Sequence, residues 1–241
     1  AMPPTLTPTS SRVPATPVIL DPDAVPKGFI AFDRGTFGED GLYRTAANAV
    51  KPGALTYLTC AGYEPVWSPD GKSISVHVVR FENSPSGSMT WVDDIGVINS
   101  DGSGFKKITR MQSGDRLWEF AWSPDGRWIA VVRCKMEAVS NGIRYSDAAV
   151  YVLKSDGSDT MKRIADVRDL ESHIEWFPDS EHVGFLDPGG LFTAASISTG
   201  ERITMGDTQA PDFSHRTFSI SPDGNNLFYV TYTSTDFTLK K

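Results

Sequence analysis

The sequence predicts an all-β fold, a β-propeller of four-stranded antiparallel blades, and three observations support this prediction. A segment built around Trp-Ser-Pro-Asp-Gly recurs four times, at 64–79, 119–134, 173–188 and 217–232. Each copy carries one anchor residue at the same place, and these anchors are Trp67, Trp122, Trp176 and Ile220. The spacings of 55, 54 and 44 residues between them are typical of propeller blades. No segment has convincing helical periodicity, so strands are the expected elements.

Each repeat is predicted to begin with two strands, labelled a and b, that are joined by a tight turn. The strands are short and rich in Val, Ile, Phe and Tyr. Pro-Asp-Gly favours a turn because Pro presets φ, the Asp side chain bonds its own backbone, and Gly tolerates positive φ.

A second pair of strands, labelled c and d, follows each a–b pair. Three copies share a short apolar strand, a polar turn and another short strand, and they cover 94–109, 148–165 and 189–204. Asp-Gly in the first two of these turns is typical of hairpins. Upstream, residues 41–59 match this pattern after a strand predicted at 28–34, and residues 17–33 loosely resemble the a–b segment without its Trp.

Stacking such sheets around a common axis buries both faces of each sheet. We count five units, at 17–60, 63–109, 118–165, 172–204 and 215–241. The tryptophans are then expected to pack between neighbouring blades. The fifth unit lacks a clear strand d, which the segment around Val18–Leu20 could supply in a closed ring. The alternative to five blades is a fragment of a longer propeller.

These repeats resemble those of the TolB-like β-propellers over roughly residues 17–235. Residues 177–180 depart from the family motif, because Phe-Pro-Asp-Ser stands in place of Ser-Pro-Asp-Gly. The resemblance implies a propeller fold. It implies no single activity, since the family includes periplasmic accessory proteins, propeller domains attached to peptidases, and cell-surface modules.

The 241-residue chain is acidic, with a formal net charge of −7. An acidic surface disfavours binding to nucleic acid or to anionic lipid. No apolar run approaches the ~20 residues of a membrane-spanning helix, so we expect no direct membrane insertion of this segment. We also expect a monomer. The two cysteines, Cys60 and Cys134, are too few for a disulfide framework and lack metal-ligand spacing.

Residues 1–16 are predicted to lie outside the folded domain, which spans 17–241. Ala1-Met2 is typical of a cloning scar, and the Pro-, Thr- and Ser-rich stretch 3–17 is typical of an extended linker. We expect that an upstream signal or anchor has been removed. The expected location is therefore extracellular, periplasmic or at the cell surface.

Antiparallel connectivity assigns the loops to two faces of the propeller. The a–b and c–d turns share one face, and the b–c loops and the connections between blades share the other. Six residues where strands a begin, on the second face, are predicted to bind a ligand: Glu64, Glu119, His173, Tyr63, Trp118 and Arg216. Polar groups beside aromatic rings at a channel mouth suit a small ligand or a protein partner. A metal ion and a plain polar funnel are the alternatives.

Long b–c loops are predicted on that same face, at 81–93 in the second unit and 135–147 in the third. Binding residues are often found on long, varied loops of a rigid scaffold. Insertion without any function is the alternative.

No catalytic motif is recognisable in the sequence. There is no Gly-x-Ser-x-Gly elbow, P-loop, Rossmann fingerprint or Cys-x-x-Cys, and no His pair has metalloprotease spacing. His77 and His182 are expected in strands b, as packing or edge residues. We predict a non-catalytic binding or protein-interaction module with no catalytic residue, cofactor or metal. The alternatives are a propeller domain of a larger peptidase or hydrolase, and a glycosidase that uses Glu64 and Glu119.

Overall fold

The computed structural model describes eight stretches of the chain: 29–33, 42–46, 56–59, 62–83, 89–168, 172–204, 218–232 and 237–240. These residues form strands and turns and include no helix. Accordingly, none of them belongs to a helix that could cross a membrane. Their strands form five antiparallel sheets, as the sequence predicts.

The five sheets follow one another along the chain, and we call them blades 1 to 5. Blade 1 contains β1 (Phe29–Asp33), β2 (Leu42–Ala46) and β3 (Thr56–Thr59). Blade 2 contains β4 (Tyr63–Trp67), β5 (Ser73–Asn83), β6 (Met89–Asn99) and β7 (Lys106–Lys107). Blade 3 contains β8 (Asp115–Trp122), β9 (Trp128–Val139), β10 (Gly142–Lys154) and β11 (Lys162–Asp166). Blade 4 contains β12 (Glu175–Trp176), β13 (His182–Leu186), β14 (Phe192–Ser196) and β15 (Arg202–Thr204). Blade 5 contains β16 (Phe218–Ile220), β17 (Leu227–Tyr232) and β18 (Phe237–Lys240).

Within every blade, strands that are adjacent in sequence are hydrogen-bonded neighbours. Blades 2 to 4 therefore have the predicted a-b-c-d order, with β4, β8 and β12 as strands a. The described part of blade 1 corresponds to strands b to d, and that of blade 5 to strands a to c. The segment around Val18–Leu20 and Cys60 lie outside the described residues, so closure of the ring stays a prediction.

The Ser-Pro-Asp-Gly turn of blade 2 is closed by its serine. The Ser68 hydroxyl donates to Asp70 Oδ1 at 2.7 Å and accepts from the Ser73 backbone N–H at 2.9 Å. Gly71 adopts a φ of +68°, in the left-handed region that favours glycine. Blades 3 and 5 repeat this arrangement with their own serines, Ser123 and Ser221.

Blade 4 keeps the same turn with different residues. Ser180 takes the glycine position and has a φ of +58°. Asp179 still accepts the backbone N–H of Glu181, at 2.8 Å, but its side-chain partner is now Nδ1 of His182, at 2.7 Å. The imidazole replaces the missing serine hydroxyl, which gives His182 its role at the start of strand b.

The anchor tryptophans pack between neighbouring blades, as predicted. Trp122 Nε1 donates to Ser75 Oγ of blade 2 at 2.7 Å, and Trp176 Nε1 donates to the Ala121 carbonyl of blade 3 at 3.0 Å. Trp67 packs against the apolar core between blades 1 and 2. Each tryptophan thus ties its strand a to the preceding blade.

An apolar core fills each of the four described contacts between successive blades. Representative members, from the first contact to the last, are Leu42, Ile95, Phe185 and Phe218. Burying one such side chain contributes about 1.5–3 kcal/mol. These cores hold the innermost strands at fixed positions, which is what a site across several blades requires.

The prediction of long b–c loops was wrong in both blades. Strand β5 continues to Asn83 and strand β6 begins at Met89, so both strands run into the loop predicted at 81–93. Strands β9 and β10 are separated only by residues 140–141. Residues 135–147 instead form a two-stranded ribbon, because polar and apolar residues alternate along both of its strands. Ser140 and Asn141 make the two-residue turn, and Gly142, which follows it and pairs with Val139, has a φ of +138°.

Candidate functional site

The two faces of the propeller are separated as connectivity predicts. On the face with the short turns, the Asp125 backbone N–H donates to Ser180 Oγ of the next blade at 3.0 Å. Lys106 Nζ likewise donates to the Asp156 carbonyl in the neighbouring c–d turn at 2.6 Å. The starts of strands a lie at the opposite end, and we call this end the channel mouth.

An ion pair joins blades 3 and 4 at the channel mouth. His173 Nδ1 lies 2.7 Å from Glu119 Oε1, and its Nε2 lies 3.9 Å from Glu175 Oε2. Burial opposes protonation of His173, but the two carboxylates outweigh it and raise the pKa of the imidazole to about 9. The ring is therefore an imidazolium at neutral pH, and its side chain stays 25% exposed.

Glu175 extends this arrangement to blade 5. Its Oε2 accepts the Ile220 backbone N–H at 3.1 Å, and its Oε1 accepts the Ser219 hydroxyl at 3.3 Å. Sequence reasoning missed Glu175, although a signal was present. The residues directly before the other anchors are Val66, Ala121 and Ser219, so a carboxylate at this position is unusual among the repeats.

A second cluster lies on the blade-2 side of the channel mouth, around buried His77. The ring of Tyr63 stacks on His77 with centroids 5.0 Å apart, and Phe120 of blade 3 packs against it at 4.7 Å. Glu64 Oε2 lies 3.6 Å from His77 Nε2. Burial lowers the pKa of His77 to about 4, although the backbone of Trp118 opposes the shift. His77 is therefore a neutral imidazole that supports Tyr63 and Glu64.

Glu64 has an unusual backbone for its residue type. Its φ is +51°, a left-handed conformation that costs a non-glycine residue about 1–2 kcal/mol. The pairing register of β4 with β5 also shifts between Tyr63 and Val66. Irregularities of this kind re-aim side chains and are common beside functional sites. Here the Glu64 side chain is 70% exposed.

Asp93 and Arg116 form a buried ion pair between blades 2 and 3, with Oδ2 and Nη1 2.7 Å apart. The Asp93 side chain is completely buried. Burial raises its pKa to about 6, Arg116 opposes this, and Asp94 and Glu64 add to it. Burial and the charge of Asp93 both raise the pKa of Tyr63, so its phenol stays neutral. Sequence reasoning missed this pair, because its two members belong to different repeats.

The predicted site residues thus fall into two groups. Glu119 and His173 are in direct contact, whereas Glu64 and Tyr63 meet through His77. Trp118 has its side chain partly in solvent, with 38% of the residue exposed. Arg216 lies outside the described residues.

Metal binding at the channel mouth was the alternative to an organic or protein ligand. Among the described residues, no group of three or more His, Cys, Asp and Glu side chains has a geometry that could hold a metal ion.

No protein-family model matches the sequence, and a search of curated proteins finds no matching sequence. Solved structures do share the arrangement of sheets. An oligogalacturonate lyase in complex with manganese has a TM-score of 0.57 and 16% identity, over 82% of this chain and 52% of that one. The oligogalacturonate lyase of Vibrio parahaemolyticus has a TM-score of 0.56 and 13% identity, over 82% and 53%. Hydrazine synthase of Kuenenia stuttgartiensis has a TM-score of 0.52 and 14% identity, over 83% and 64%.

The chain is a β-propeller. At these identities the likeness shows the fold alone, and the chain spans about half the length of the two lyases.

Among the described residues, the groups on the two sides of the propeller's channel mouth include more carboxylates than cations. On the blade-2 side, Glu64 and Asp93 lie near Arg116, and the neighbouring Asp94 is paired with Arg80 and Lys107. On the other side, two glutamates stand against the imidazolium of His173. Charges in a partly desolvated site act more strongly than they do in water. The channel mouth can therefore attract a cation and can accept hydrogen bonds.

Proposed function

We propose that this chain is the ligand-binding propeller domain of a larger protein, and that it holds its ligand at the channel mouth. The observation that carries the proposal is the partly exposed charged array of Glu119, His173 and Glu175, which spans two blades. Trp118, the residue before Glu119, is 38% exposed. A few converging polar groups beside aromatic surface are typical of ligand sites. In this proposal the domain itself is not catalytic.

The chain shares its propeller fold with the two lyase structures and spans about half of their length. A larger peptidase or hydrolase, in which the propeller controls access to a separate catalytic domain, is the second candidate. Membership of the TolB-like family and an exported location belong to the same proposal. The full-length gene tests this part, because a hydrolase domain beyond Lys241 would favour the second candidate.

The binding experiment uses the 241-residue chain with a fluorescent label. It is screened against an oligosaccharide array and against peptides with free or acetylated amino termini. We expect Glu64→Ala combined with Trp118→Ala to keep the fold, as measured by circular dichroism. Affinity for the bound probe should fall about tenfold or more, which corresponds to about 1.4 kcal/mol.

A matched control combines Lys72→Ala with Ile203→Ala, which removes one exposed charge and one exposed apolar side chain away from the channel mouth. The control should bind like the wild type. Full affinity both in the Glu64 and Trp118 double variant and in Glu119→Gln would show that the channel mouth is not the site. Binding to no probe at millimolar concentration would count against the ligand-binding function itself.

A further inference from the structure

The blade-2 side of the channel mouth contains buried polar atoms with incomplete hydrogen bonding among the described residues, although Arg116 and the Leu117 backbone lie against Asp93. Neither carboxylate oxygen of Asp93 has a well-aligned donor, and Nδ1 of His77 has no well-aligned partner. Both side chains are almost completely buried, at 0% and 3% exposure. Buried polar atoms in native proteins nearly always have a partner. A bound group that donates hydrogen bonds would provide one on this side of the mouth.

The charges nearby favour a positively charged donor. Burial raises the pKa of Asp93 in spite of its contact with Arg116, so a further positive charge nearby would stabilise its ionised form. The charge of Glu64 contributes to that increase, which places the two carboxylates within electrostatic reach of each other. A cation between them would relieve this repulsion.

The ring of Trp118 indicates which kind of cation fits. Its backbone lies next to His77, and 38% of the residue is exposed. The face of an indole attracts an organic cation more strongly than the other aromatic rings do. Since the described residues also offer no metal-binding group, an organic cation is favoured over a metal ion.

We propose that Glu64, supported by His77 and Asp93, binds a primary ammonium group whose neighbouring atoms pack against Trp118. An ammonium group has three donors and no acceptor, which complements carboxylate oxygens and an imidazole lone pair. The free amino terminus of a peptide carries such a group. This inference rests on the proposed function, because it specifies the class of ligand for the same channel mouth.

The test is a calorimetric titration of the full 241-residue chain with two probes, triglycine amide and N-acetyltriglycine amide. They differ only in the charge and hydrogen-bonding capacity of the amino terminus. We expect the free amine to bind about tenfold more tightly or better. Glu64→Gln should remove most of that difference, and Lys72→Ala should leave it unchanged. Asp93→Asn should also weaken binding of the probe with the free amine. If Asp93→Asn does not fold, the exposed Glu64→Gln still decides the outcome.

Equal affinity for the two probes, or no binding of either, would overturn the ammonium site. Preference for the free amine that persists in Glu64→Gln would overturn its location. The proposed function fails separately. The proposed function survives if an oligosaccharide on the array binds the wild type and this binding is lost in the Glu64 and Trp118 double variant. Both the proposed function and the ammonium site are wrong if no probe of any class binds.

Discussion

Replacing His173 with Gln should remove a pH-dependent contribution to stability that links blades 3 and 4. Glu119 and Glu175 outweigh the effect of burial and raise the pKa of His173 from 6.5 to about 9. This difference corresponds to about 3 kcal/mol of preferential stabilisation of the imidazolium. Solvent reaches both partners, since Glu119 is 34% exposed and His173 is 25% exposed. Screening therefore reduces the expected contribution to about 1–2 kcal/mol.

The sign follows from the raised pKa in the folded state. The contribution is fully present below the unfolded pKa of 6.5 and is lost as the pH rises through about 9. Urea denaturation at about pH 6 and about pH 9.5 measures it. Between these values the wild type should lose about 1–2 kcal/mol more than His173→Gln does. Glu201→Gln, a charge change at an exposed site, should keep the wild-type pH dependence. An identical pH dependence in the wild type and His173→Gln would show that the imidazolium does not stabilise the contact between blades 3 and 4.

Three further predictions concern packing and the buried thiol. Ser123→Ala should lower the free energy of unfolding by about 1–3 kcal/mol, because its hydroxyl bridges the a–b turn; a urea midpoint equal to that of the wild type would contradict this. Trp122→Phe should cost about 1–3 kcal/mol, since it loses the bond to Ser75 and part of the packing between blades; unchanged thermal unfolding would argue against it. In a Cys60→Ser background, native Cys134 should resist a thiol reagent, because it is 1% exposed and burial raises its pKa to about 11. Labelling as fast as in the unfolded chain would show otherwise.

The fold could be predicted from the sequence because its determinants are local. Each Ser-Pro-Asp-Gly turn is closed by bonds between residues at most five positions apart, such as those of Ser68. Blade 4 shows that the turn tolerates change, since Ser180 and His182 replace the glycine and the serine. The ribbon at 135–147 was also predictable, because its alternation and the Ser-Asn-Gly sequence at its turn are local signals that an expectation of loops obscured.

The site was only partly predictable because its contacts cross from blade to blade. Alignment of the repeats placed Glu119 and His173 at the same end of the propeller, and they are in contact. It gave no indication that Arg116 would meet Asp93, since that pairing depends on which faces of two sheets are packed together. The positive φ of Glu64 was equally hidden, because nothing in its sequence neighbourhood requires it.

Hydrogen–deuterium exchange with and without saturating triglycine amide locates the bound ligand on the propeller. We expect slower exchange in peptides that cover 62–67 and 115–122, where strands a begin at the channel mouth. The turns at 68–72 and 123–127, on the opposite face, should exchange at unchanged rates. Protection confined to those turns, or no protection at either end of the propeller, would contradict a binding site at the channel mouth.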